Sequence, residues 1–146
     1  QEVVHHSCFS RIAQARSKNI DLGYEGEQSP VYVLGDGVLL GELCANLLDN
    51  AIRYTPERGT VTLSLHRDGE AVTLSVEDSG PGIEENLINQ ALTPFRRLEN
   101  GGGLPGAGLG LALVNDIARL HRSRPQLSRS ESLGGLKVTL RLLTVA

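Results

Sequence analysis

Apolar residues recur at helical spacing in three stretches of this chain and alternate with polar ones in six others. Within residues 3–16, Val4, Cys8, Ile12 and Ala15 fall near one helix face, and Lys18-Asn19 reads as the stop. A longer helix is predicted from an N-cap at Asp36 to about Tyr54. Its apolar flank is Leu39, Leu43, Leu47 and Ile52 with Leu40, Leu48 and Ala51, and Thr55-Pro56 ends it. A third helix runs from Leu109 to about His121. Alternation predicts strands at Ile20–Tyr24, Pro30–Leu34, Thr60–His66 and Ala71–Glu77, the last two joined by Arg67-Asp68-Gly69-Glu70, an Asp-Gly hairpin signal. Strands at 126–131 and 136–143 flank a turn at Leu133-Gly134-Gly135. Between the strand ending at Glu77 and the helix beginning at Leu109, the polar, Gly- and Pro-rich stretch 84–106 breaks the pattern, and Glu99-Asn100-Gly101-Gly102-Gly103 marks it as a mobile loop. Strands outnumber helices and face them. The fold class is therefore α+β, a two-layer α/β sandwich with a mixed sheet packed on about three helices.

Composition narrows the picture. At 146 residues the chain makes one domain, 1–146, and with aromatics at 3% its core is built from Leu, Val, Ile and Ala. A net charge of −3 gives no electrostatic case for nucleic acid as the main partner. Cys8 and Cys44 sit in apolar, helix-like surroundings without metal spacing, which suits reduced core thiols in the cytoplasm. No apolar run approaches the ~18–20 residues of a membrane span, and no signal peptide is visible. Opening at Gln1 in mid-pattern, the chain reads as part of something longer.

Three motifs carry candidate chemistry. On the long helix, Glu42, Asn46, Asn50 and Tyr54 are four apart and form one polar stripe, with Arg53 beside its end. Such a stripe is equally that of a solvated face, but Asn weakens helix interiors, and an Asn carbonyl is a hard, neutral oxygen suited to Mg²⁺. In Asp78-Ser-Gly-Pro-Gly-Ile83, the aspartate follows an apolar strand, and Gly80 and Gly82 permit a tight turn and close approach by a flat ligand. The motif reads either as a strand-ending turn or as an acceptor for an exocyclic amine, which adenine has and guanine lacks at the corresponding ring position. In Gly106-Ala-Gly108-Leu109-Gly110, backbone amides lie uncovered where a helix begins, a natural phosphate site. No Lys-Ser/Thr pair follows, which excludes a Walker A loop, and the spacing does not suit a dinucleotide fold.

Jointly these stretches resemble the catalytic, ATP-binding domain of two-component sensor histidine kinases, within the superfamily that includes DNA gyrase, a heat-shock chaperone and mismatch-repair ATPases. Asn46–Tyr54 is similar to that family's N box, Asp78–Gly82 to its G1 box, Pro94-Phe95-Arg96-Arg97 to its F box and Gly106–Gly110 to its G2 box. The resemblance implies a Bergerat-type sandwich, a lid at about 84–106, and ATP and Mg²⁺ as cofactors. It implies a metal role for Asn50 and adenine reading by Asp78, with Gly80, Gly82 and Ile83 beside it. It further implies ribose or phosphate contacts from Asn46, Arg53, Tyr54 and Arg97, and a phosphate-side hinge at Gly106, Gly108, Leu109 and Gly110. Asn46, Arg53 and Arg97 are the expected catalytic positions.

Hydrolytic members carry a Glu where Asn46 stands, and an amide cannot take up a proton. Transfer to a histidine is therefore expected over hydrolysis. The implied partners are the protein's own dimerisation and phosphoacceptor domain, expected upstream, and a response regulator. The domain is expected in the cytoplasm, as a portion of a membrane-anchored parent. A non-catalytic ATP-binding regulatory module and an anti-sigma-type serine kinase are the alternatives. Departures are also visible. His5 and His6 match no acceptor box, His121-Arg122-Ser123-Arg124 replaces a customary Gly-Gly pair, and the F box lacks a second aromatic. Arg119, Arg122, Arg124 and Arg129 read as solvated surface or as a basic patch for a partner.

Overall fold

A computed structural model describes residues 10–26, 33, 37–81 and 107–143, the stretch 107–112 by its backbone alone. Among them, α1 (Ile12–Ser17), β1 (Asp21–Gly26), α2 (Gly37–Tyr54), β2 (Thr60–Asp68), β3 (Ala71–Asp78), α3 (Ala107–Leu120), β4 (Gln126–Arg129) and β5 (Leu136–Leu143) follow in order. The five strands form one mixed sheet in the order β1-β2-β3-β5-β4, parallel between β1 and β2 and antiparallel elsewhere. The expected α+β sandwich is what forms.

The sheet has one apolar face because side chains alternate along each strand. Val61, Leu63 and Leu65 of β2, Val72, Leu74 and Val76 of β3, and Val138, Leu140 and Leu142 of β5 belong to the buried core. They share it with Leu43, Leu47, Leu48 and Ile52 of α2 and with Val114, Ile117 and Ala118 of α3. Cys44 is buried in the same layer, while Cys8 lies outside the described residues. Asp78 continues the alternation of Val72, Leu74 and Val76, so it lies on the helix-facing side. Glu77 lies on the other face with Ser75, whose hydroxyl is 3.4 Å from that of Thr139.

Several boundaries move, each for a local reason. Only Ile12–Ser17 of the predicted 3–16 helix is described, and of Pro30–Leu34 only Val33, as a bridge residue packed against the core. β1 runs on to Gly26, in register with Leu65; a Cβ at Gly26, whose φ is +117°, would strike the Leu65 carbonyl. β4 stops at Arg129, short of the expected 131, because Ser130 folds into the next turn, donating its N–H to Gly135 O at 2.7 Å. α3 begins at Ala107 instead of Leu109, so Gly108, Leu109 and Gly110 fall within its first turn.

The C-terminus of α2 is closed by three side-chain hydrogen bonds from two residues. Thr55 Oγ1 donates to Ala51 O at 2.6 Å, and Lys18 Nζ donates to Ile52 O at 2.9 Å and Arg53 O at 3.1 Å. A cation on the last carbonyls satisfies orphan acceptors and opposes the negative end of the helix dipole. α1 is tied to α2 a second time, by the Arg11 guanidinium on Asp49 at 3.0 Å. Lys18→Met keeps the aliphatic stem but not the charge, and it should lower stability by about 0.5–1 kcal/mol in urea melts.

Candidate functional site

Tyr54 and the Asp78–Gly80 turn meet where β3 ends against the last turn of α2, the helix that also carries Asn46, Asn50 and Arg53, while Gly108, Leu109 and Gly110 lie in the first turn of α3. Asn46, Asn50 and Tyr54 are partly buried, while Glu42 and Arg53 are exposed. The stripe is thus turned away from the buried Leu43, Leu47, Leu48 and Ile52. Asn46 Nδ2 donates to Glu42 O at 2.7 Å, one turn back on its own helix. Asn50 differs from every other residue here. Among the described residues, its Nδ2 is the one buried side-chain nitrogen or oxygen without a hydrogen-bond partner. Leaving a buried polar group unpaired costs about 1–3 kcal/mol, so Asn50 Nδ2 calls for an acceptor beyond those the described residues supply.

Asp78 is 5% exposed, an unusual setting for a carboxylate. Its Oδ1 accepts the Gly80 amide at 2.9 Å and the Leu136 amide at 3.1 Å, and its backbone oxygen accepts the Gly135 amide at 3.1 Å. Burial raises its pKa above the usual aspartate value, with the Leu136 and Gly80 amides acting in the opposite direction. Both amides use Oδ1, which leaves the other carboxylate oxygen as the acceptor on offer.

Close backbone contact joins the aspartate turn to the Asn-bearing helix. A Cβ on Gly80 would lie 2.9 Å from Tyr54 O and 3.2 Å from Asp78 Oδ1. A side chain at 80 would therefore push the turn off the end of α2, one helical turn beyond Asn50. Ser79 holds the turn's other flank, its Oγ accepting the Thr60 amide at 2.8 Å.

Not every expected residue is placed. Gly82, Ile83, Arg97 and Gly106 lie outside the described residues, as do the stretch 84–106, the Pro94–Arg97 motif, His5 and His6. Conversely, sequence reasoning missed the second wall of the site. The turn Ser130–Gly135 and the first residue of β5 supply two of the three amides that hold Asp78. A Cβ on Gly135 would fall on Asp78 Oδ1 and on its carbonyl oxygen, and would lie 2.7 Å from Gly80 N. The signal was the Gly134-Gly135 pair, whose members serve different ends. Gly134 adopts φ +87° with open space around it, whereas Gly135 is required by close approach.

The donor set fits a magnesium nucleotide. A neutral amide oxygen is a hard ligand, and Mg²⁺ takes one or two protein oxygens and shares its remaining positions with phosphates and water. The Asn50 side chain carries such an oxygen, its Nδ2 has no partner among the described residues, and the buried Asp78 carboxylate stands in the turn packed on the end of the same helix. Among the described residues no helix is long and apolar enough to cross a membrane.

Residues 35–145 match the family described as histidine kinase-, DNA gyrase B-, and HSP90-like ATPase. Sensor protein CreC of Escherichia coli (strain K12) is 37% identical over 139 residues, which cover 93% of this chain and 29% of CreC. The mycobacterial sensor histidine kinase MprB superposes with a TM-score of 0.85 at 28% identity, over 98% of this chain and 94% of that one. Histidine kinase ThkA in complex with response regulator protein TrrA shares the fold, with a TM-score of 0.79 at 22% identity over 99% of this chain and 40% of that one. The chain thus spans less than a third of the length of CreC.

Proposed function

This chain belongs to the histidine kinase-, DNA gyrase B-, and HSP90-like ATPase family, and from that premise we propose that it binds Mg-ATP and presents the γ-phosphoryl group to a histidine on a separate dimerisation domain. One observation supports this above the others. The buried carboxylate of Asp78 sits in a turn packed on the end of the helix that carries Asn50, whose Nδ2 has no partner among the described residues. In this reading Asp78 accepts the exocyclic amine of adenine through the oxygen its backbone amides leave over, and Gly80 lets the base lie close to the turn. Asn50 and Asn46 face the triphosphate, with Arg53 and Tyr54 at the end of the same helix. Arg97, Gly82, Ile83 and the glycines at 106, 108 and 110 complete the nucleotide contacts. Asn50 would hold Mg²⁺, which when bound would neutralise phosphate charge and make the γ-phosphorus of ATP more electrophilic.

Asn46 argues for transfer over hydrolysis. Its amide has no basic lone pair on nitrogen, and that nitrogen is already donating to Glu42 O. Nothing at this position activates water, so the attacking group comes from the acceptor histidine, and catalysis rests on positioning and charge neutralisation. By the same reading the domain works in the cytoplasmic portion of a membrane-anchored sensor. A response regulator takes the phosphoryl group onward, the class of partner that ThkA binds.

The test combines the purified domain with an acceptor domain bearing the histidine and measures phosphohistidine formed from labelled Mg-ATP. Wild type should label the acceptor yet turn over little ATP alone. Asn50→Ala should cut the labelling rate about tenfold, with a weaker response of ATP affinity to added Mg²⁺. Bound Mg-ATP without any phosphohistidine would make the domain a binding module instead, and label on a serine partner would make it a serine kinase.

A further inference from the structure

The carboxylate next to Asp78, on the opposite face of the sheet, is engaged through both of its oxygens. Glu77 Oε2 accepts the hydroxyls of Ser130 at 2.8 Å and Ser132 at 3.1 Å, while Oε1 lies 3.3 Å from Lys137 Nζ. Lys137 is its direct partner across the β3–β5 ladder. The Ser130 hydroxyl, fully buried, also accepts the Leu133 amide at 3.1 Å, and Ser130 exchanges backbone bonds with Gly134 and Gly135 at 2.8 and 2.7 Å. The same turn ends in the Gly135 and Leu136 amides that hold Asp78. Hydrogen bonds from Glu77 to Ser130, from Ser130 to Gly135 and from Leu136 to Asp78, joined by the two intervening peptide links, therefore close a ring.

We propose that Glu77 is a positioning residue for base recognition: it clamps the Ser130–Gly135 turn from behind the sheet, and the clamped turn aims Asp78. This rests on Asp78 reading adenine, as argued above. Two hydroxyls and an ammonium converging on one carboxylate are more than a surface ion pair needs. Their common effect is to fix a turn that otherwise has a left-handed Gly134 and no side chain at Gly135 to hold it. With the turn loosened, the Leu136 amide drifts from Oδ1. That oxygen then competes for the exocyclic amine in varied orientations, so discrimination falls before binding is lost. Glu77 touches no nucleotide in this arrangement, because it lies on the face away from the helices.

Titration calorimetry with ATP and with ITP, which carries a carbonyl in place of the exocyclic amine, separates aim from mere stability. Wild type should prefer ATP by at least about tenfold. Glu77→Gln, which retains size and an acceptor, should lower that preference about fivefold, and Lys137→Gln, which leaves both serines in place, by less. Hydrogen exchange of the Leu136 amide in the nucleotide-free protein should speed up in Glu77→Gln by a similar factor. An unchanged ATP-to-ITP ratio in a folded Glu77→Gln overturns the proposal, as does unchanged Leu136 exchange. If wild type itself fails to separate ATP from ITP, the adenine-reading assignment falls first. Asp78→Asn then matches wild type, which distinguishes that failure from failure of the clamp alone.

Discussion

Asp78→Asn should weaken ATP binding about tenfold to hundredfold by titration calorimetry, while the nucleotide-free domain keeps its stability or gains some. An asparagine oxygen can still accept the Gly80 and Leu136 amides, so the turn survives the change. The other side-chain atom becomes an NH₂, which donates where adenine's amine also donates. The substitution thus turns the one acceptor on offer into a repelling donor and removes its charge. Stability moves the other way because burial holds the Asp78 pKa above its unfolded value. A carboxyl with a raised native pKa binds its proton more tightly when folded. Its contribution to stability is therefore greatest at low pH and declines as pH rises from the unfolded value through the folded one. In Asp78→Asn that decline disappears, a flattening that thermal melts between about pH 3 and pH 7 would register.

Glu77, one residue away, has the opposite sign. Burial pushes its pKa up, but the Ser130 and Ser132 hydroxyls and Lys137 outweigh burial and hold it below the ordinary value. Its contribution is present above the ordinary glutamate range and is lost as pH falls through the lowered pKa. The neighbouring carboxylates thus tilt the acid limb of the stability curve in opposing directions. That fits a clamp that needs its charge and a base-reading group that is costly to keep charged.

Gly135→Ala should be the most damaging methyl addition within the Asp78 turn and the loop that holds it. The new Cβ would overlap Asp78 Oδ1 and its carbonyl oxygen and crowd Gly80 N at 2.7 Å; two of these atoms are backbone, and the third is held by the Gly80 and Leu136 amides. A loss of about 2–3 kcal/mol in urea unfolding is expected, with nucleotide binding reduced further because the displaced atoms include the base acceptor. Gly134→Ala is the control. It meets nothing within 4 Å and suffers only from its φ of +87°, a cost of about 1–2 kcal/mol with binding preserved. Equal effects of the two alanines on binding would refute the close-approach account of Gly135.

The sequence by itself determined the elements whose cause is local. The apolar spacing of Leu43, Leu47, Leu48 and Ile52 specifies α2, Asp68-Gly69 specifies the β2–β3 hairpin, and alternation specifies β5, because helix and strand periods are written into adjacent residues. Residue chemistry likewise singled out Asn50 and Asp78, since an Asn inside a helix and an Asp at a strand's exit are both out of keeping with their surroundings. Tertiary structure alone decided what surrounds them. Leu136 stands 58 residues from Asp78, and Ser130 stands 53 from Glu77. They meet only because β5 inserts beside β3 in the sheet. Strand order is a global outcome of burying one apolar face, and no periodicity along the chain encodes it. The same holds for Gly135, whose need for glycine comes from a neighbour's carboxylate and not from its own backbone angles.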